Sequence, residues 1–186
     1  MKKLYPVLTF VFVFASLTFS QNFATKGTIE VGGSIGFSST TSVSNGESAS
    51  NSTTTIRLEP YIGYFIVNSF ELGFFPSFTS QSYAGSSSTS LGIYIAPAWN
   101  FNLRSNLFPF LEGRVGYSST SSGGSTYGGL AWGAKGGVKV KIGNSSLFNL
   151  ALSYDQLTYN PSGSSGGRNG YNVFAINGGF TVFFGK

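Results

Sequence analysis

The side chains that carry out most enzymatic chemistry are scarce in this sequence. Its 186 residues include no His and no Cys, and only 6 are Asp or Glu. Without His, neither a Ser–His nucleophile pair nor a Cys/His metal site can form. A carboxylate pair such as Glu59 with Glu112 could act as acid and base, although ion pairing is the commoner role of such residues. We therefore expect no enzymatic activity, no metal site and no cofactor.

The charged residues share one position in an alternating apolar–polar pattern. Ile56, Leu58 and Ile62, for example, alternate with Arg57 and Glu59. A period of two is that of a β-strand with one apolar and one polar face. The charged residues on the polar face are Lys26, Glu30, Arg57, Glu59, Glu71, Glu112, Arg114, Lys135, Lys139, Lys141 and Asp155.

The clearest pair of strands forms a hairpin over residues 56–79. The apolar positions of both strands are even-numbered, so a loop of odd length is needed to bring them to one face. Val67, Asn68 and Ser69 supply such a loop, with Asn68 able to adopt the left-handed turn conformation.

The same period continues along the chain and predicts about eight strands, each near the roughly 9–11 residues that a tilted membrane strand needs. They are expected over residues 23–38, 56–66, 70–79, 91–101, 107–117, 130–142, 148–155 and 171–184. Long polar connections over residues 38–54, 83–90, 118–126 and 158–170 alternate with short ones. This layout is typical of an up-and-down barrel with its long loops at one end. Each proline inside a predicted strand removes a ladder donor, namely Pro60, Pro76, Pro97 and Pro109.

The distribution of charge indicates which face of the barrel meets lipid. Charged residues make up only 9% of the chain, against about a quarter in soluble domains. An Arg or Lys facing lipid at the bilayer midplane costs about 2–4 kcal/mol, which explains a face without charge. An open sheet edge in hydrocarbon would leave backbone groups unpaired, so the sheet must close. The sequence therefore predicts an all-β fold, a closed eight-stranded antiparallel up-and-down transmembrane β-barrel.

The first residues have the composition of a secretory signal peptide. Lys2 and Lys3 precede the apolar residues 4–14, and Thr18 and Ser20 place small side chains before Gln21. We expect residues 1–20 to be a cleaved signal peptide and residues 21–186 to form the barrel.

The charged residues that lie several positions from the strand ends are expected to meet inside the barrel. We predict a lumen charge network of Glu30, Arg57, Glu59, Glu112, Arg114, Lys135 and Asp155. An eight-stranded barrel is just wide enough to be filled by side chains, so these ions would satisfy one another and close the lumen. The alternative is a narrow ion or solute pore gated by the same network.

Residues 58–73, LEPYIGYFIVNSFELG, and the alternation around them resemble the small eight-stranded outer-membrane barrel family of the OmpA/OmpX type, occurring here as a stand-alone barrel. The last strand adds to the resemblance, since Asn177, Gly179, Val182 and Phe184 are similar to the terminal signal read by the barrel assembly machinery. The resemblance implies a location in the bacterial outer membrane, contact with its lipid, and assembly by that machinery. It specifies no activity, since one fold serves many functions.

Two long connections, residues 38–54 and 158–170, are expected to project from the cell. They could contact an extracellular partner through Tyr159, Arg168 and Tyr171. Together these observations predict a monomeric outer-membrane barrel with a filled polar lumen and a structural or surface-interaction role. No nucleic-acid partner is expected.

Overall fold

A computed structural model describes residues 23–44, 47–83, 86–103, 105–159 and 169–185, and the expected signal peptide lies outside this part of the chain. Eight strands are present: β1 (Ile29–Ser44), β2 (Glu47–Val67), β3 (Phe70–Tyr83), β4 (Ser86–Asn100), β5 (Leu107–Ser122), β6 (Ser125–Ile142), β7 (Ser146–Tyr159) and β8 (Asn169–Phe184). Each strand pairs antiparallel with the next, and β8 pairs with β1 to close the barrel. The predicted fold class is confirmed. Among the described residues, no helix has the length and apolar character needed to cross a bilayer.

The alternating pattern places its apolar face on the outside of the barrel. Ile56 and Leu58 expose 54% and 47% of their surface, whereas Arg57 and Glu59, which alternate with them, are buried. The same relation holds on the other strands, so a continuous apolar belt surrounds the wall. A belt of this extent is stable in contact with lipid rather than water.

Most of the predicted long loops are extensions of the strands. β1 runs to Ser44 and β2 begins at Glu47, so the predicted loop over residues 38–54 is largely paired strand. The loops predicted over residues 83–90 and 118–126 are likewise reduced to short turns. Ser and Thr at these positions pair in register with the neighbouring strand, and Thr favours extended backbone, so polarity alone was a poor sign of a loop.

The turn between β5 and β6 contains only two residues. Gly123 and Gly124 both adopt positive φ, at 57° and 82°. Glycine adopts this conformation without steric cost, and two such residues form the tight turn that matches the twist of a hairpin.

The N-terminal residues depart from the prediction that a strand begins at Phe23. β1 begins at Ile29, and the preceding residues turn beneath the barrel, with the amide of Thr28 donating to the carbonyl of Thr25 at 3.1 Å. A strand that began at Phe23 would place this side chain on the lipid-facing side with Ile29, but Phe23 is buried inside the barrel. An apolar side chain suits both a lipid-facing and an interior position, so the alternating pattern could not distinguish the two.

The hairpin between β2 and β3 also differs from the prediction. Its turn contains two residues, and the odd residue is accommodated as a bulge between Phe65 and Val67. Ser69 rather than Asn68 adopts the positive φ, at 68°. Asn68 instead accepts a 2.8 Å hydrogen bond at its side-chain oxygen from the amide of Lys26.

The strand prolines are accommodated at interruptions of the hydrogen-bond ladders. The β2–β3 ladder is continuous up to Leu58 opposite Phe78 and resumes at Ile62 opposite Phe74. Pro60 and Pro76 therefore face each other in the middle of this gap, so the two donors that they lack both fall within it. Two other ladder positions hold the remaining prolines: Pro97 lies in a break in the β4–β5 ladder, and Pro109 lies beyond its last rung, where its carbonyl accepts from Phe101 at 2.8 Å.

Candidate functional site

The interior of the barrel is the candidate site, and its layers are described from the short-turn end upward. The first layer is a cluster of buried apolar side chains, called here the aromatic plug: Phe23, Phe65, Phe108, Leu147 and Phe183. The Phe23 ring packs edge-on against Phe65 and Phe108, with centroids 5.2 and 4.9 Å apart. It also lies 5.2 Å from the ring of Phe183. The plug closes this end of the lumen.

Backbone hydrogen bonds from the N-terminal turn hold Phe23 in the plug. The carbonyl of Ala24 accepts from the amide of Ser69 at 2.8 Å, and the amide of Gly27 donates to the carbonyl of Phe65 at 2.9 Å. The amide of Phe65 in turn donates to the carbonyl of Thr28 at 2.9 Å. The chain segment before β1 is therefore anchored to the β2–β3 hairpin.

Above the plug lies the lower cluster, formed by Glu30, Glu71 and Lys139. The Nζ atom of Lys139 lies 2.6 Å from a carboxylate oxygen of Glu30 and 3.1 Å from one of Glu71. Thr181 donates from its hydroxyl to the other oxygen of Glu30 at 2.6 Å. The side-chain amide of Asn100 donates to Glu71 at 3.1 Å. All five side chains are almost completely buried.

A small cavity of about 40 Å³ lies above the lower cluster. Glu30 and Lys139 line it from one side, and Glu59 and Lys135 line it from the other. It is large enough for a few water molecules. The cavity therefore separates two layers of charge.

The upper network connects six charged side chains without a break. Arg114 is the central residue, with ion pairs to Glu59 at 3.0 Å, Glu112 at 2.9 Å and Asp155 at 3.4 Å. Arg57 pairs with Asp155 and lies 3.7 Å from Glu59. Lys135 completes the network 3.2 Å from Glu59. Three cations and three carboxylates balance, so the layer is neutral.

Stacked aromatic rings pack beside the upper network. The guanidinium of Arg114 lies 4.8 Å from the centroid of the Phe75 ring. Phe75 stacks in turn on Tyr94, with centroids 5.0 Å apart and an interplanar angle of 10°. A small hydroxyl-rich vestibule adjoins Tyr94 and the network residues Arg57 and Asp155, and its other lining residues include Ser77, Thr79, Gln81, Ser90 and Ser118.

The structure brings six of the seven predicted network residues together. The exception is Glu30, which was expected to meet the others and instead pairs with Lys139 in the lower cluster. Alternation identifies the face of a residue, whereas its height depends on the register and tilt of the strands.

Sequence reasoning did not select Glu71, Lys139 or Phe23 for the lumen site. Glu71 and Lys139 carried the correct signal, since both were placed on the polar face. Phe65 and Phe75 also interrupted that face in the sequence, and both belong to interior aromatic layers. An apolar residue on a polar face was therefore a usable sign of a lumen plug.

The remaining predicted residues are the surface-loop contacts and the assembly signal. The backbones of Tyr159 and Tyr171 belong to β7 and β8, and Arg168 lies outside the described residues. In β8, Asn177 faces the lumen and donates to the hydroxyl of Ser153 at 2.9 Å, whereas Phe184 is the last residue of the strand. Gly179 and Val182 also lie in β8, and the role of these residues as an assembly signal stays a prediction.

No family model and no curated protein sequence matches the chain. Its structure is similar to that of Neisserial surface protein A, with 18% identity, a TM-score of 0.61, and coverage of 86% of this chain and 100% of that one. It is also similar to the outer membrane protein OprG from Pseudomonas aeruginosa, with 16% identity, a TM-score of 0.53, and coverage of 87% and 98%. The chain has the fold of the small eight-stranded outer-membrane barrels. The resemblance seen in the sequence is confirmed for the fold, and the apolar belt agrees with the predicted location in a bacterial outer membrane.

Proposed function

We propose that the protein is a closed, monomeric outer-membrane barrel with a structural or surface-interaction role, and that it is not an enzyme. The observation that carries this proposal is the double closure of the lumen. The aromatic plug fills the short-turn end, and the neutral upper network fills the middle. A solute would have to displace both layers to cross.

The energetics of the two layers favour a resting barrel that stays closed. Phe23 is 1% exposed, so withdrawing its ring would give up the contacts of a fully buried aromatic side chain. Separating Arg114 from its partners would leave buried charges unpaired, at a cost of about 3–5 kcal/mol. These costs arise at different heights and oppose conduction independently.

The long-strand end supports the surface-interaction part of the proposal. Hydroxyl side chains of neighbouring strands are hydrogen-bonded there, including Ser90 with Thr120 at 2.7 Å and Ser121 with Thr126 at 3.0 Å. Strand pairing makes this end an ordered rim rather than a set of loose loops. We propose that the rim and the segment between β7 and β8 contact an extracellular partner, through Tyr159, Arg168 and Tyr171.

A narrow pore is the second candidate function, and the cavity between the two charged layers favours it. A route through the lumen would connect the vestibule, the upper network, this cavity, the lower cluster and the plug in that order. The two functions differ in a single measurable property, ionic conductance.

Conductance in planar bilayers of the protein purified from outer membranes tests the proposal. A closed barrel is expected to give no discrete openings at any voltage that the bilayer withstands. Heat-modifiable mobility on gels and strand-rich circular dichroism would show that the same sample is folded. Reproducible openings from folded protein would overturn the proposal and establish the pore.

The surface-interaction role is tested with a variant that lacks residues 160–169. Loss of binding to host cells or matrix, with membrane insertion unchanged, is expected. Unchanged binding would remove these residues from the proposal without affecting the closed lumen.

A further inference from the structure

The two charged layers of the lumen differ in their balance of charge. The upper network contains three cations and three carboxylates, whereas the lower cluster contains two carboxylates and one ammonium group. Glu30 and Glu71 both bond to the same Nζ atom, that of Lys139. If both carboxylates are ionised, one negative charge has no counterion in this layer.

The surroundings provide no other cation for that charge among the described residues. The charged and polar groups that face the pair, directly or across the cavity, are Ser34 on β1, Tyr61 and Glu59 on β2, Asn100 on β4, Glu112 on β5, Lys135 and Lys139 on β6, Asn149 on β7, and Asn177 and Thr181 on β8. Lys135 is engaged with Glu59. Lys141 lies nearer the short-turn end, with its ammonium 5.4 Å from the centroid of the Phe183 ring.

Unpartnered oxygen atoms mark where an added positive charge would lie. One carboxylate oxygen of Glu71, the amide oxygen of Asn100 and the hydroxyl of Tyr61 are buried without a hydrogen-bond partner. Asn100 is bonded to Glu71 through its amide nitrogen, so its side chain adjoins the same carboxylate. A methyl group on Gly63 would come within 2.8 Å of both the Tyr61 hydroxyl and the Glu71 carboxyl carbon, so these two groups also adjoin.

We propose that the Glu30–Glu71 pair binds one exchangeable monovalent positive charge, either a proton or a sodium ion. A buried carboxylate without a counterion is costly, and two carboxylates that share a site keep one proton between them for this reason. A proton on the pair would convert one carboxylate oxygen from an acceptor into a hydrogen-bond donor. A sodium ion would use the same oxygen atoms as ligands, since hard cations take oxygen donors.

The proposal predicts how stability depends on pH. If the site holds a proton, the folded protein binds one proton more than the unfolded chain, so raising the pH favours unfolding. The unfolding equilibrium constant then rises by up to about tenfold for each pH unit between the pKa of the carboxyl group in the unfolded chain and that of the pair in the folded protein. Glu71→Gln keeps the shape of the side chain and its contacts but removes the charge, and this variant is expected to lose that dependence.

The experiment measures denaturant-induced unfolding in lipid vesicles from mildly acidic to alkaline pH, in sodium and in choline salts of equal ionic strength. Glu47→Gln is the matched control, because it removes a carboxylate at the first residue of β2, at the long-strand end, and leaves both charged layers of the lumen intact. The wild type and the control are expected to lose stability with rising pH, and Glu71→Gln is not. An equal loss of stability in both salts would show that the site holds a proton. Stability restored in the sodium salt alone would show that it holds a sodium ion. Parallel behaviour of Glu71→Gln and the wild type in both salts would overturn the proposal.

A measurement on the wild type alone covers the case in which Glu71→Gln does not fold. A bound proton gives an infrared carbonyl band of a protonated carboxyl group, which disappears when the pH is raised. A bound sodium ion gives no such band but makes stability depend on sodium concentration. The absence of both the band and the sodium dependence would also overturn the proposal.

Discussion

The Nζ atom of Lys139 lies 5.1 Å from the centroid of the Phe23 ring, so the lower cluster rests directly on the aromatic plug. The same ammonium group holds Glu30 and Glu71. A desolvated cation over an aromatic ring is stabilised by about 2 kcal/mol. The plug and the lower cluster are therefore energetically coupled, and a change in one is transmitted to the other.

Replacing Phe23 with Ala is expected to destabilise the barrel by about 3–5 kcal/mol, because it removes a fully buried ring and leaves a cavity. Denaturant unfolding in lipid vesicles measures the loss. Phe74→Ala is the control, since its side chain is 46% exposed on the lipid-facing side. Equal losses for the two variants would show that Phe23 does not anchor the plug.

Conductance is expected only when both closures of the lumen are removed. Phe23→Ala alone leaves the upper network in place, and neutralising Arg57 and Arg114 together leaves the plug in place. The combined variant is expected to give discrete, cation-selective openings, because the remaining carboxylates line the path. Openings from Arg57→Gln with Arg114→Gln alone would show that the plug does not block ions.

Truncating Arg114 to Ala is expected to cost about 3–5 kcal/mol of stability, because Glu59, Glu112 and Asp155 lose their shared buried partner. The midpoint of urea unfolding measures this effect. Adding Glu112→Gln to the Arg114→Ala variant should recover part of the loss, since one unpaired carboxylate is then removed. Additive losses in the double variant would contradict a shared network.

The gap at Pro60 and Pro76 is expected to make the β2–β3 seam the most readily opened part of the mid-height wall. Amide hydrogen exchange at Leu58 and Ile62 should therefore be faster than at Leu150 of β7. Replacing both prolines with Ala restores two donors and should slow that exchange. Unchanged exchange in the double variant would show that the seam is not weakened by the missing rung.

The orientation of the barrel can be measured with inserted epitopes. An epitope between Gly123 and Gly124 is expected to be accessible to antibody on intact cells, because this turn lies at the long-strand end. The same epitope after Gly143, in the turn between β6 and β7, should be accessible only after the outer membrane is opened. The reverse pattern would invert the assigned topology.

The strand pattern predicted the fold because an alternating sequence in lipid has few alternatives. Ile56 and Arg57 cannot both face hydrocarbon cheaply, so their faces were determined by charge alone. The same reasoning did not predict strand length, since Ser and Thr beyond the apolar belt pair as readily as they form loops. Apolar side chains indicate which part of a strand lies in the bilayer, but they do not indicate where the strand stops pairing with its neighbours.

Positions along the barrel axis were harder to predict than faces. Glu30 and Glu59 occupy equivalent polar positions in their strands, yet they lie in different layers. Their heights follow from the register of β1 and β2, in which Glu30 lies opposite Gly63 and Glu59 lies opposite Ser34. Phe23 was misplaced because a ring that fits against lipid also fits against Phe65, Phe108 and Phe183.

The contact between Phe23 and Phe183 joins the two extremities of the described chain. Nearly the whole polypeptide must be threaded and paired before these two rings can meet, so their contact is among the most distant in sequence. Contacts of this kind form late, because the loop they close is long. We therefore expect the plug to be completed in the last step of barrel assembly. A partly assembled barrel that lacks the contact between Phe23 and Phe183 would leave its lumen open.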